Sequence, residues 1–419
     1  MKIAAQDIAG LASLPEAMPS AMLGSGNLSA AVSTPATFVP KGWSFDILPR
    51  TSSAVGGGVD PEPAHARLKA VAEALERSCL TTLPTSTIEL ATARGLGKRA
   101  FDWSEVPACS TDEYAHPDCP VIPFDPDRKM RWINGIRLSD GCSTLVPASM
   151  VYLTPPLRRA EQFLIPISTG AAIHTDPATA IVSACLEVIE RDSLALNWLT
   201  QKRLKRISIF GDPKSDAAWS VGTRGLEQYF FDATTDIGIP VVYSLQKRTG
   251  SDRVATLVTA ACNFQKILAC RKAAAEAIST RGAVASSRTV LRIEDCTRIE
   301  HGAAFMGMPE RTSAFNFLFE RLDTEMVEDT EPQSLSPSDQ LNVLKDTFAR
   351  KGVEAYVVPI ATRAVRSLSL HAFKVVIPSL MPLSYHYRAR FLAHKRLVKL
   401  LSVSGSSIAK PNHWPQPFA

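Results

Sequence analysis

The chain has 419 residues, of which 45% are hydrophobic and 21% charged, and carries a formal net charge of +5. That length buries a sizeable core, in one large domain or two to three smaller ones, and the composition excludes a disordered or fibrous chain. The 46 basic residues are interspersed with 41 acidic ones and form no long basic run, so nothing calls for a nucleic-acid partner.

The amino terminus carries Asp7 and Glu16 among small and apolar residues. It lacks the basic start and apolar block of a secretory signal, and no stretch of the chain is apolar for the length of a membrane span. Residues 1–55 read as an extended N-terminal segment joined to the core, with strand-like fragments at 36–39 and 43–48. Gly56, Gly57 and Gly58 close the approach to a first helix, whose apolar residues recur at helical spacing over 64–80 behind Pro61 and Pro63. Residues 83–165 hold strand-like runs at 119–124 and 143–153, broken by Pro and Asp. Cys109, His116 and Cys119 fall in this stretch, but three candidate ligands without a fourth read as a loop, not a zinc site. The eight cysteines are irregularly spaced and include no Cys-x-x-Cys, which fits a reduced, cytoplasmic protein.

A second helix is expected over 177–200, followed by a strand at 207–210, a helix over 217–230, a turn at 236–240 and strands at 240–245 and 254–262. A third, Ala-rich helix covers 270–285. The acidic, Pro- and Ser-rich stretch 323–340 reads as an exposed loop, and a helix at 341–351 and strands at 355–360 and 373–377 follow it. Helices and strands alternate throughout, so the fold class is α/β, or mixed α and β.

The first two helices repeat one another. Pro63, Ala64, Ala66, Ala70, Glu73, Glu76 and Arg77 recur at a constant offset as Pro177, Ala178, Ala180, Ala184, Glu187, Glu190 and Arg191. The third helix keeps part of the pattern in Ala269, Ala273 and Glu276, with Ser279 where the first has Glu76. Three related helices suggest internal pseudo-symmetry. Residues three and four apart share a helix face, so each Glu-x-x-Glu-Arg presents two carboxylates and a guanidinium together. A single copy would read as a solvated face with internal ion pairs. Recurrence within Ala-rich helices, whose small residues favour close packing, points instead to clefted acids that need a compensating charge. Magnesium supplies one, taking one or two protein carboxylates and completing its shell with water and phosphate oxygens. The metals would also explain how acids hold a triphosphate, whose oxygens Arg77, Arg191 and Arg281 would meet. Conventional signatures are missing: Gly95-Leu96-Gly97-Lys98 lacks the Walker spacing, and neither Gly-x-Ser-x-Gly nor His-Glu-x-x-His occurs.

The segment Ser183-x-x-x-Glu187-x-x-Glu190-Arg191-Asp192, with Ser168-Thr169-Gly170 before it and Trp198 after it, resembles the central motif of the YcaO proteins. The resemblance extends through Glu73, Glu76 and Arg77, through Phe231 to Val242, through Glu276 to Arg281 and through Val375 to Leu380, and so covers most of the chain from about Gly56 onward. It implies a YcaO-like fold with pseudo-symmetric helix repeats packed on mixed sheets. An ATP-binding catalytic domain would span 56–410 and a proline-rich tail 411–419. It implies ATP and Mg2+ as cofactors, with Glu73, Glu76, Glu187 and Glu190 on the metal and Ser183, Arg77, Glu276 and Arg281 around the nucleotide. Catalysis would rest on Glu187, Glu190, Arg191 and the terminal Ala419.

Members similar to this chain are cyclodehydratases that phosphorylate backbone amide oxygens of a ribosomally made precursor peptide. They turn Cys, Ser or Thr into thiazolines or oxazolines. The resemblance further implies a separate peptide-recognition partner of E1-like or leader-binding type, a flavin-dependent azoline dehydrogenase, and a homodimer within a larger complex. The first 55 residues look too short and irregular for a peptide-binding domain, which favours the separate partner. Alternatives that keep the fold are thioamide or amidine formation; a rival of another class is a non-catalytic nucleotide-binding scaffold. The chain departs from the family at Gly57, where many members have lysine, at Lys69 and Ser279, where they have Ser and Gln, and in the tail, where Pro415-Gln416-Pro417-Phe418-Ala419 replaces Pro-x-Pro-x-Pro.

Overall fold

The computed structural model describes residues 44–51, 54–60, 62–153, 156–211, 225–250, 253–287, 290–329, 335–403 and 410–418. A ribbon of β1 (Ser44–Thr51) and β2 (Ala54–Asp60) leads into helix α1 (Pro63–Thr81). Strands β3 (Glu89–Ala91), β4 (Met130–Arg137), β5 (Ser143–Pro147) and β6 (Ala171–His174) precede helix α2 (Pro177–Thr200). Strands β7 (Lys205–Gly211), β8 (Leu226–Asp232), β9 (Val241–Arg248) and β10 (Thr256–Cys262) precede helices α3 (Lys266–Ser286) and α4 (Ile299–Met306). Then come β11 (Thr324–Asp329), α5 (Pro337–Lys351), β12 (Tyr356–Pro359), β13 (His371–Val376) and α6 (Lys395–Val403).

Beyond the ribbon, the described residues form two sheets. One runs β10-β9-β8-β7-β11, antiparallel except that β11 lies parallel to β7; the other runs β3-β4-β12-β13-β6, with β5 also on β4. Each sheet thus exposes an edge, β10 or β6, immediately before a long helix, and β2 does the same for α1. These three strand–helix units close on one another. Helix α1 packs on β2 and β6, α2 on β6 and β10, and α3 on β10 and β2, so that every helix shares a strand with the next. The closure needs very short distances. A Cβ on Gly56 would stand 1.9 Å from the carbonyl oxygen of Ala70, and one on Gly58 1.8 Å from that of Ala66. Glycine therefore lets the β2 backbone lie directly on the small-residue face of α1, where Ala66 and Ala70 are buried. Proline starts α1 and α2, and Asp176 caps α2 by accepting from the N–H of Thr179 at 2.7 Å. Helix α2 is buried on nearly all sides and runs through the largest core cluster.

Most expected elements are present, and three differ. The helix expected over 217–230 is a strand from Leu226 on, its first part lying outside the described residues; Tyr229, Phe230 and Phe231 favour the extended form, and β7 and β9 pair with it on both sides. No strand forms at 119–124, where Ile122 bonds only to the carbonyl of Gln162 as backbone pairing. The exposed loop expected at 323–340 contains β11, held by Lys266 on Glu325 at 2.7 Å and by Arg271 on Asp329. The fragment at 36–39 lies outside the described residues.

Two contacts fix the far end of α2. Asp192, fully buried, accepts from the N–H of Met381 at 2.8 Å and pairs with Arg396 at 2.7 and 2.9 Å, and Arg396 also reaches Asp236. Asp192 is thus a structural anchor between α2, the segment after β13 and α6, not an acid of the cleft. The tail crosses the same end: Asn412 donates its N–H to Leu199 and its side-chain amide to Trp198, and the Trp198 indole donates to Trp414. Phe418 is buried edge-on against Tyr243, 5.4 Å between ring centres.

Candidate active site

The repeated glutamates are positioned by the same device twice. In the first unit, Glu73 accepts from the N–H of Gly57 at 2.7 Å and pairs with Arg77 at 2.5 Å. In the second, Glu187 accepts from the N–H of Gly170 at 3.0 Å and faces Arg191 at 3.6 Å. In each case a glycine ahead of the helix turns an otherwise unpaired backbone donor onto the first acid of the motif. Gly170 has no substitute, because its φ is +85° and a Cβ there would stand 2.5 Å from the carbonyl oxygen of Val375. Glu190 is the deepest of the acids. It accepts from the N–H of Cys262 at 3.0 Å and lies 3.4 Å from Arg191, yet burial outweighs that attraction and holds its carboxyl above the usual range.

Glu76 and Glu276 stand differently. Among the described residues, no protein hydrogen bond or ion pair reaches either carboxyl group. Burial, with Glu187 and Glu73 nearby, pushes Glu76 up to about 8. Burial and Glu190 push Glu276 up to about 7, against the pull of Arg191 and Lys272. The third helix therefore contributes its one acid of the repeat, Glu276, to the same cleft as the other two.

Two lysines absent from the sequence reading complete the cluster. Lys374 on β13 is 3% exposed; its ammonium donates to the carbonyls of Ile167 and Thr169 at 2.6 Å each and faces Glu187 and Glu76. Burial brings it down to about 8 despite both acids. Lys272 lies on α3 one turn before Glu276, in the field of Glu190, Glu276 and Glu187. A lone lysine inside the apolar run from Phe373 to Ile377 was the readable signal for the first, since a lysine in a buried strand demands partners. For the second, no signal stood out from an ordinary helix-face lysine.

The other expected residues are placed as follows. Ser183 is exposed one turn before Glu187 on α2. Arg281 is not brought to the acids: it is buried, donating to Gln246 at 2.9 Å and to the carbonyl of Val254 at 2.8 Å, and its charged neighbour is Arg248. Ala419 lies outside the described residues. Arg191 and Lys374 also line a mainly apolar pocket walled by Leu164, Ile165, Val188, Ile377 and Leu380.

Magnesium fits this donor set. Among the described residues, no three such side chains form a ready-made metal cage, as expected for an ion that takes one or two carboxylates and keeps the rest of its shell for water and phosphate. The partnerless carboxyl groups of Glu76 and Glu276, raised for want of a cation, are where the compensation is missing. This has a consequence for stability. Both groups hold a proton in the folded protein that the unfolded chain, with a value of 4.5, has released, so metal-free stability falls as pH rises from about 5 toward 8. Urea melts over that range should show the decline, and Glu76→Gln, which cannot titrate, should flatten it; equal slopes for the two proteins would contradict the assignment.

The chain resembles known proteins in sequence and in fold. The sequence matches the family described as YcaO cyclodehydratase, ATP- and Mg2+-binding, over residues 57–381. It is 28% identical over 270 residues to an uncharacterized protein in the tfuA 3′ region of Rhizobium leguminosarum bv. trifolii, a match covering 61% of each chain. Its fold is similar to that of a heterocyclase in complex with substrate and cofactor, with a TM-score of 0.69, 19% identity, and coverage of 87% of this chain and 50% of that one. It is also similar to the YcaO from Methanopyrus kandleri bound with AMPPCP and Mg2+, with a TM-score of 0.61, 17% identity, and coverage of 89% and 91%. The chain thus spans about three fifths of the curated relative and half of the heterocyclase.

Proposed function

The chain belongs to the YcaO family of ATP- and Mg2+-binding proteins, and from that premise we propose that it is the cyclodehydratase subunit that forms thiazolines or oxazolines from Cys, Ser or Thr of a ribosomal precursor peptide. The observation that carries the reading is the convergence of three helices on one cleft in which, among the described residues, Glu76 and Glu276 have no protein hydrogen-bond or ion-pair partner. Glu73, Glu76, Glu187 and Glu190 would hold magnesium, with Glu276 joining them from α3. Ser183 and Arg77 would lie toward the nucleotide, whereas Arg281, held by Gln246 and the carbonyl of Val254, has no part in this reading. The bound metal would neutralise phosphate charge and align the triphosphate.

The chemistry asks little covalent work of the protein. The substrate's own thiol or hydroxyl would give up its proton as it attacks the preceding amide carbonyl and closes the five-membered ring, and the resulting oxyanion would accept the γ-phosphoryl group of ATP, giving ADP. Phosphate would then leave as the amide nitrogen loses its proton, which puts a carbon–nitrogen double bond into the ring. Positioning and charge are what remain for the chain to supply. Arg191 and Lys374, which line both the cleft and the apolar cavity, stand between the nucleotide side and the space proposed for the peptide. Both are firmly held, Arg191 by Glu190 and Glu187 and Lys374 by two carbonyls, so neither needs to be ordered when substrate arrives.

A separate partner is proposed to deliver the precursor, and the test includes it. Incubation of the chain with precursor, partner and magnesium ATP should remove the mass of one water per ring and release ADP and phosphate. An unchanged peptide mass with an intact partner would sink the proposal. Replacement of oxygen by sulfur without loss of water would instead identify thioamide formation, and partner-independent binding without turnover would identify a scaffold.

A further inference from the structure

We propose that the apolar pocket beside the acids is a specificity pocket: it takes the side chain of the substrate residue whose carbonyl is activated, and it selects a bulky apolar one. The inference rests on the peptide-modifying reading above and adds a substrate preference to it.

The pocket adjoins the cleft through Arg191 and Lys374, which line it and also face the acids. Ser183, Glu187 and Arg191 succeed one another at four-residue intervals along one face of α2. At a rise of 1.5 Å per residue, Ser183 and Arg191 stand about 12 Å apart along the helix. A nucleotide with its base end toward Ser183 and its phosphates on metals at Glu187 and Glu190 therefore leaves the pocket, beyond the reacting phosphate, to the other reactant.

The chemistry of ring closure decides which part of the peptide that is. The activated carbonyl must face the phosphate, on the acid side of the two cations. The Cys, Ser or Thr that attacks it turns its own side chain onto the carbonyl carbon and stays on that side. Of the two side chains flanking the reacting amide, only that of the preceding residue is free to turn the other way. Its Cα is bonded to the carbonyl carbon, so this side chain departs within two bonds of the reacting centre.

The walls fit an apolar occupant. Leu164, Ile165, Val188, Ile377, Leu380 and Phe391 supply them, and among the described residues no carboxyl group lines the pocket. Arg191 is engaged by Glu190 and Glu187 and Lys374 by two carbonyls, so an acidic side chain would enter without a cation of its own. The pocket is also built to hold its shape. Phe391, 3% exposed, has a φ of +56°, a left-handed conformation uncommon outside glycine. Glu113 pins it by accepting from the N–H groups on either side, that of Arg390 at 2.6 Å and that of Leu392 at 3.0 Å. Backbone held in this way clusters at ligand-facing walls. Leu164, Ile165 and Tyr385 are half-buried, which places the mouth of the pocket on their side.

Precursors that differ only in the residue before the ring-forming one test the proposal, with partner and magnesium ATP present and either loss of water or exchange of oxygen for sulfur scored as turnover. Wild type should process Leu at that position with a kcat/KM roughly 10- to 100-fold above that for Gly, the discrimination that burial of one such side chain supports. Asp should do no better than Gly. Leu164→Trp, which fills the pocket, should bring the Leu-to-Gly ratio toward one, and Leu164→Ala, which enlarges it, should move the optimum from Leu to Phe. Equal kcat/KM for Leu and Gly in wild type, or an unmoved preference in either folded variant, would overturn the inference. A raised KM for ATP alongside an unmoved preference would give the pocket to the nucleotide base. Modification of no precursor by wild type with its partner would instead remove the peptide-modifying reading itself, and this assignment with it.

Discussion

Glu190→Gln is expected to abolish ATP turnover while the protein stays folded. The glutamine can still accept the N–H of Cys262 through its amide oxygen, so the 3.0 Å bond that ties α2 to the end of β10 survives. The group is already protonated more readily than an ordinary carboxyl, so its neutral replacement adds no burial penalty. What disappears is the negative charge facing Arg191 at 3.4 Å and the anionic oxygen proposed for the metal. Outer partners of metal ligands alone are worth roughly 10- to 100-fold, so the loss on removing a ligand should be at least of that order. Phosphate release by the purified variant, with circular dichroism as the control for folding, measures it. Wild-type turnover would remove Glu190 from the site.

Arg396→Met should have the largest effect on stability. It leaves Asp192 fully buried, with the N–H of Met381 as its remaining donor and no cation in contact. Breaking a buried pair from one side typically costs about 3–5 kcal/mol, because the surviving charge has neither water nor partner. The double variant Arg396→Met with Asp192→Asn should recover much of this, since asparagine keeps an acceptor for Met381 without the stranded charge. Urea melts of the wild type, the single and the double variant decide it. A double variant no more stable than the single one would show that packing of the arginine stem, not charge, is what the site loses. Met381 also lines the apolar pocket that Arg191 and Lys374 share, so the single variant should loosen it even where it remains folded.

Much of the cleft was legible because its signal is local. Glu73, Glu76, Glu187 and Glu190 sit in helices whose period and small residues can be read off the chain, and Glu276 follows from the partial third copy. The strand assignments at 207–210, 254–262 and 373–377 rest on short apolar runs and fall on β7, β10 and β13. What the sequence could not disclose is the result of elements meeting. Lys374 meets the acids only because β13 packs against α2, which sets it in the field of Glu187 and of Glu76 on α1, and Asp192, which adjoins the motif in sequence, is turned away from the cleft by Arg396 on α6. The strand at Leu226–Asp232 was misread for the same reason: its pattern suits a helix as well as a strand until two neighbours pair with it. Arg281 shares the helix of Glu276 yet faces Gln246, a difference that helical spacing alone does not predict strongly enough to act on.

The sharing of strands between successive helices also sets when the site can come into being. Strand β2 is among the first described elements to be synthesised, yet α3, its neighbour on the open side, follows only after α2 and the whole of β7 to β10. Closing so long a loop costs entropy before any contact rewards it, and such closures are slow. A nascent or partly folded chain would hold two acidic helices without the third, and with them an edge of β2 left unpaired against α3. Competence to bind a nucleotide should accordingly arrive in one late step, after most secondary structure has formed, and a kinetic trace of refolding followed by nucleotide binding would lag behind the same trace followed by backbone signal.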